Sequence, residues 1–218
     1  MRPPFAAFFF PMAAHYPYDC PGATSGQHNH DDYLACIKYS DKLLGILLED
    51  FGRLNMLQDT LFVIVGDHGE SFGEHGRLVH NSSMYEEEVT VPLVFWSADA
   101  RLAGQGIGVS RQIDIAPTIA DFLNLMESSV PMQGISLLRR DGAPPPIFMS
   151  AFFDGVALAL IEPPHKFIYE PPADTLVAFD LNIDPRELAP MVVSDPEKAR
   201  ITSRLKAFVS YQDNLFSP

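Results

Sequence analysis

The chain has 218 residues, 47% of them hydrophobic, and 28 acidic against 15 basic side chains give a formal net charge of -13. Its length admits one large domain, or one with a small appendage. Acidity of this size disfavours non-specific binding to nucleic acid or to an anionic membrane, because both are themselves negative. An anionic substrate then needs positive charge supplied locally, and a bound metal ion is its main source. Cys20 and Cys36 are the two cysteines; they imply neither a disulfide framework nor a thiolate metal cluster.

Arg2 and the apolar residues that follow resemble the start of a signal peptide, but so short a run cannot span a bilayer. Pro11 interrupts it, and no small-x-small cleavage site follows. The run Phe5 to Phe10 is read instead as a core strand that delivers His15 to a sheet edge. From Asp32 to Leu54, Leu34, Ile37, Leu44, Leu47, Leu48, Phe51 and Leu54 recur at helical spacing and predict an amphipathic helix packed on the sheet. His28, His30, Asp31 and Asp32 precede it; an N-cap at Asp31 or Asp32 accounts for them more simply than a metal cluster does. Leu61 to Val65 predicts a strand buried on both faces and therefore parallel. Strand, helix and strand in that order make a right-handed crossover unit.

The chemistry gathers where this strand ends, at Gly66-Asp67-His68-Gly69-Glu70. In open α/β sheets, ligands lie beyond the carboxyl ends of strands. Asp67 offers a hard carboxylate oxygen and His68 an imidazole nitrogen, a mixture that suits Zn²⁺ or Mn²⁺ better than Ca²⁺. The glycine-rich loop after them can approach a ligand closely, and Glu70 and Glu74 are placed to orient ligand histidines. Two donors do not complete a shell. Taken alone, the motif also reads as an ordinary turn capped by Asp67.

Ser83 to Trp96 reads as a short acidic helix followed by a buried strand, with Glu86, Glu87 and Glu88 as a solvated face. A further helix opens at Asp114 with Pro117 in its first turn and turns Ile115, Ile119, Phe122 and Leu123 to a core. Pro144, Pro145 and Pro146 mark a rigid connection. Beyond them, Ile147 to Phe153, Val156 to Ile161, Lys166 to Tyr169 and Thr175 to Phe179 predict a small antiparallel sheet. Pro196 to Tyr211 predicts a closing helix, and His165-Lys166 reads as an exposed edge pair.

The motif Asp67-His68-Gly69-Glu70, then Gly73-Glu74-His75-Gly76, then His80, resembles the metal loop of the alkaline phosphatase superfamily, in its sulfatase and phosphoethanolamine-transferase branches. His15-Tyr16-Pro17-Tyr18 resembles the His-x-Pro-Tyr that ends a family strand. Tyr85-Glu86-Glu87 with Val91-Pro92-Leu93 is similar to the continuation in sulfatases, as are Asp114-Ile115-Ala116-Pro117-Thr118, Gly134-Ile135-Ser136-Leu137 and Asp180-Leu181 with Asp184-Pro185-Arg186-Glu187. The usual Asn-Leu after that glutamate is replaced here by Ala189-Pro190-Met191. The match favours the sulfatase branch.

The resemblance implies an α/β fold, an alkaline-phosphatase-like α/β/α sandwich with a mostly parallel central sheet. Residues 1–142 would be the C-terminal part of its catalytic domain, and 143–218 a small α+β subdomain with an antiparallel sheet and closing helix. It implies Asp67 and His68 as metal ligands, and His15 and His80 as catalytic residues that bind the anion or protonate the leaving oxygen. The substrate would be an anionic sulfate ester or, in the alternative reading favoured by His80 in place of lysine, a phosphate ester of an envelope glycolipid or glycan. A non-catalytic remnant is the third reading. No residues here match the family's nucleophile motif, Cys/Ser-x-Pro/Ala-x-Arg, so the chain is expected to be the C-terminal part of a longer periplasmic or extracellular enzyme. Any membrane contact would then lie in the missing part.

Overall fold

The computed structural model describes residues 4–24, 29–81, 83–102, 108–125, 131–139, 142–151 and 157–216, with residues 100 and 216 as backbone only. His28 and part of the predicted strand segments at 152–156 lie outside them. The chain divides into two compact units, one of Met1–Val79 with Val91–Ala103 and one of His80–Thr90 with Gly104–Pro218.

In the first unit, helix α1 runs from His30 to Arg53. Its cap is Asn29, whose side chain accepts the Asp32 amide at 2.9 Å, and not Asp31 or Asp32. Asp32 is buried instead, because its carboxylate accepts the Thr24 amide at 2.7 Å and the Asn29 side-chain amide at 2.9 Å. Arg53 closes the last turn with ion pairs to Glu49 and Asp50, and Asn55, at φ 54°, reverses the backbone.

Strand β1, Phe62–Val65, meets α1 through Phe51, whose ring lies 5.0 Å edge-on from Phe62. It pairs antiparallel with β4, Leu93–Trp96, with Phe62 opposite Trp96. The parallel neighbour expected at Phe5 to Phe10 does not form: these residues are not strand, and Phe8, Phe9 and Phe10 are largely exposed. An apolar run says that a segment seeks burial; a strand also needs a partner for its backbone groups, and none pairs with this one among the described residues. Among the described residues the crossover unit drawn from it does not form either, for the same reason. Strands β2, Ser71–Phe72, and β3, Leu78–Val79, form a minimal hairpin around the glycine loop.

Cys20 and Cys36 form a disulfide, correcting the reading that set these cysteines aside. A covalent link needs only two thiols brought together, which counting cysteines cannot reveal.

The second unit is built on an antiparallel sheet in the order β5 (Ile147–Ser150), β6 (Leu158–Glu162), β7 (His165–Glu170), β8 (Thr175–Asp180). Alternation gives the sheet two apolar faces. One packs Leu158, Leu160, Phe167 and Tyr169 against Ile201 and Leu205 of the closing helix α4, Asp195–Phe216. Each such fully buried side chain contributes about 1.5–3 kcal/mol. The other face packs Ala159, Ile168 and Phe179 against Met84, just ahead of the four-residue helix α2, Glu86–Val89.

Helix α3, Ile115–Phe122, buries Pro117, Thr118, Asp121 and Phe122, whereas Leu123 is exposed beyond its end. Asp114 holds the 134–137 loop beside this helix: its carboxylate accepts the Arg111 guanidinium at 2.7 Å and the Ile135 amide at 2.9 Å. A Cβ on Gly134 would stand 1.9 Å from the Ile113 carbonyl oxygen, so only glycine fits there.

Candidate active site

Antiparallel pairing with β4 carries β1 to its end, where the Gly66 amide donates to the Pro92 carbonyl at 3.1 Å. A Cβ on Gly66 would come within 3.0 Å of Val91 Cβ, so the two segments approach as closely as glycine permits. Asp67 and His68 follow.

The Asp67 Oδ1 accepts the His68 amide at 3.0 Å, and Oδ2 lies 3.7 Å from His68 Nε2. His68 Nδ1 is 2.8 Å from the Gly69 carbonyl oxygen. A carbonyl only accepts, so Nδ1 carries a proton, the arrangement required of a histidine that ligates a metal through Nε2. Two donors on one ion, with bonds of about 2.0–2.1 Å, stand roughly 3.0–3.4 Å apart. A small rotation of Asp67, whose side chain is 90% exposed, closes that gap. The pair fits a divalent ion as half of its shell. Among the described residues no group of three or more His, Cys, Asp or Glu side chains could hold a metal.

The loop after the pair is held by aromatic packing. The Phe72 ring lies 5.1 Å from Tyr33, 5.3 Å from His30 and 6.3 Å from Tyr18. His30 is therefore a packing contact at the start of α1, as its place beside the helix cap requires. Tyr18 is buried and edge-on to Tyr33 at 5.8 Å, while the disulfide joins the chain two residues beyond Tyr18 to the second turn of α1. The His15 loop and the glycine loop thus rest on the same end of one helix.

His15 is exposed, and its Nδ1 donates to the Tyr16 carbonyl oxygen at 2.7 Å. Burial, then the nearby Glu70, pushes the Tyr18 phenol above its ordinary pKa, and Tyr33 is raised by burial, then Glu70 and Asp67. Both phenols stay protonated and feel the carboxylates that follow β1. Glu74 closes its own loop: its carboxylate accepts the Phe72 amide at 2.6 Å, and backbone hydrogen bonds, its own first, hold its pKa low.

His80 belongs to the second unit, which the chain enters after Val79 and leaves again at Val91. Val79 at φ 67° and Asn81 at φ 62° flank it; a β-branched residue there is a true outlier. The glutamates that follow are not a solvated face. Glu88 is buried and accepts the Ser83 amide at 3.1 Å and hydroxyl at 2.7 Å. The Glu86 carboxylate accepts Lys166 Nζ at 2.7 Å, and its backbone amide donates to Glu187 at 2.6 Å. Lys166, expected at an exposed edge, is fully buried on interior strand β7 with Nζ 3.0 Å from Glu187 Oε1. Sequence reasoning missed this triad; its one local sign was Glu187 recurring in the Asp-Pro-x-Glu tail.

The sulfatase family profile matches residues 2–125. A choline-sulfatase of Rhizobium meliloti is 31% identical over 170 residues, covering 72% of this chain and 31% of that protein. An N-acetylglucosamine-6-O-sulfatase of Bacteroides thetaiotaomicron is 35% identical over 118 residues, 52% of this chain and 21% of its own. Among solved structures, a protein in complex with its substrate D-glucosamine-2-N,6-O-disulfate superposes with a TM-score of 0.67 at 26% identity, covering 84% of this chain and 40% of that one. The chain spans about a third of the length of the first curated relatives it matches. Its structural neighbours give it the alkaline-phosphatase-like α/β fold, and its described strands pair antiparallel. With the profile covering more than half its length, the chain belongs to the sulfatase family.

Proposed function

We propose that the chain supplies half of the metal centre and part of the anion-binding surface of a sulfuric ester hydrolase. The observation that carries this is the Asp67-His68 pair beyond β1, with His68 Nδ1 2.8 Å from the Gly69 carbonyl oxygen and Nε2 3.7 Å from Asp67 Oδ2. Sulfatases are metal-dependent as a family; the mixed oxygen and nitrogen set favours Zn²⁺ or Mn²⁺ over Ca²⁺. When bound, the ion supplies positive charge against the sulfuryl oxygens and the attacking group.

The chain's own residues do the rest of what it contributes. Asp67 and His68 hold and orient, the Gly69 carbonyl fixes the His68 tautomer, and the Phe72 cluster keeps the loop in place. His15 and His80 bind the sulfate or give a proton to the leaving oxygen, a contribution of roughly a hundred to ten-thousandfold for a positioned acid. No nucleophile motif is present in the 218 residues, so this polypeptide assayed alone turns over slowly or not at all.

The substrate is a sulfate ester. The relatives acting on 6-O-sulfated glucosamine units support a sulfated amino sugar, and the choline-sulfatase relative supports choline sulfate as the alternative. The disulfide supports an oxidising compartment, periplasmic or extracellular. Among the described residues no helix is long and apolar enough to cross a membrane.

The test is a titration of the purified, metal-stripped chain with Zn²⁺ and Mn²⁺, read by calorimetry, beside His68→Ala and Asp67→Ala. One site lost in both variants is expected. Equal binding by wild type and both variants would remove the metal centre and with it the reading.

A further inference from the structure

We propose that Lys166 and Glu187 are positioning residues for His80, acting through Glu86 to fix the 80–90 segment on the C-terminal sheet. The proposal rests on the reading of His80 as an anion-handling group. His80 lies between two residues with positive φ, Val79 and Asn81, and such conformations cost about 1–3 kcal/mol each unless their surroundings over-determine them. Residues 80–90 group with the second unit, while Val79 stays in the first, paired with Ser71.

Three attachments order the 80–90 segment, two to residues beyond it and one within it. Met84, 5% exposed, packs with Ala159, Ile168 and Phe179, and Tyr85 stands edge-on to Phe179 at 6.0 Å. Glu88 ties back to the Ser83 amide and hydroxyl, three residues after His80. The third attachment is ionic. Glu187 accepts the Glu86 amide at 2.6 Å while Lys166, 2.7 Å from the Glu86 carboxylate, bridges the two acids.

Apolar packing lets a segment slide; hydrogen-bonded charges demand one geometry. A buried ion cluster is a poor source of stability compared with apolar groups of similar volume, so its presence at the root of the His80 segment points to placement. Lys166 is well anchored for it. It lies on interior strand β7, opposite Phe179 on β8 and Ile161 on β6.

The experiment uses the whole 218-residue chain and inorganic sulfate as the probe, read by NMR of the histidine side chains. His80 is assigned from the resonance lost in His80→Gln. In wild type, sulfate moves the His80 resonances to saturation. In Lys166→Met the His80 response weakens about tenfold in apparent affinity while His165, the neighbour of the substituted residue, keeps its position, and Lys166→Arg restores part of it. Should Lys166→Met not fold, Glu86→Gln carries the test, since its side chain is 26% exposed and its backbone bond to Glu187 remains.

An unchanged His80 response in a folded Lys166→Met or Glu86→Gln overturns the positioning role and leaves the metal centre untouched. A His80 blind to sulfate in wild type overturns it as well. The sulfatase reading stands or falls separately, on metal binding at Asp67 and His68.

Discussion

Removing the Lys166 ammonium tests the buried triad as energy. In Lys166→Met, Glu187, whose side chain is 0% exposed, loses its counter-charge, whereas Glu86, 26% exposed, can turn partly to water. Breaking a buried pair from one side costs about 3–5 kcal/mol, and relief at Glu86 places the expected loss near the lower end, about 3 kcal/mol. For a chain of this size that lowers Tm by roughly 6–12 °C.

The pH dependence has a definite sign. Burial already raises the Glu187 carboxyl above its ordinary value of 4.5, with Lys166 opposing, and removing Lys166 raises it further. A carboxyl with a raised folded pKa costs nothing extra while protonated, and its penalty grows as pH rises through that folded value. The deficit of Lys166→Met should therefore be small near pH 4.5 and largest above neutrality. Urea unfolding followed by far-ultraviolet circular dichroism at pH 5 and pH 8 measures it, with Lys166→Met/Glu187→Gln expected to recover most of the loss. A deficit below about 1 kcal/mol at pH 8, set against the 3–5 kcal/mol of a broken buried pair, refutes the reasoning, as does one that does not change with pH.

Replacing both cysteines by serine removes a link spanning 16 positions and should cost about 3 kcal/mol from loop entropy; an unchanged urea midpoint with and without reductant would argue against the link. Gly134→Ala forces a Cβ onto the Ile113 carbonyl, for an expected loss of about 3 kcal/mol, and a midpoint equal to wild type would contradict the close approach. For Asp114, burial favours the neutral acid, but hydrogen bonds from Arg111 and the Ile135 amide win and hold the carboxyl below 3.8. Its stabilisation is full above that value and is lost as pH falls through the lower folded pKa. Asp114→Asn should then be less stable than wild type by about 2 kcal/mol at pH 7, the gap narrowing towards pH 2. A gap constant across acid titration would show that the charge is not what matters.

What could be read from the residues was whatever one element settles within itself. β1 followed from its apolar run, and Asp67 and His68 from their place after it. The four C-terminal strands showed as short apolar runs broken by turns, and α4 was expected from Pro196 to Tyr211 and runs slightly longer, from Asp195 to Phe216. The order of several short motifs, none decisive alone, was enough to indicate the family.

Partners were a different matter. Lys166 looks like any surface lysine until Glu86, 80 residues earlier, and Glu187 meet it in the core. The Glu86 amide finds Glu187 across 101 positions, and the glutamate run read as solvated becomes the anchor of the His80 segment. Cys20 finds Cys36, β1 finds β4 antiparallel, and the phenylalanines from Phe8 to Phe10 find no strand among the described residues. Periodicity follows from the pitch of a helix or the pleat of a strand and needs only neighbouring residues. Which distant group neutralises a buried charge, or which strand lies alongside, follows from how the chain returns on itself, and no window of sequence contains that.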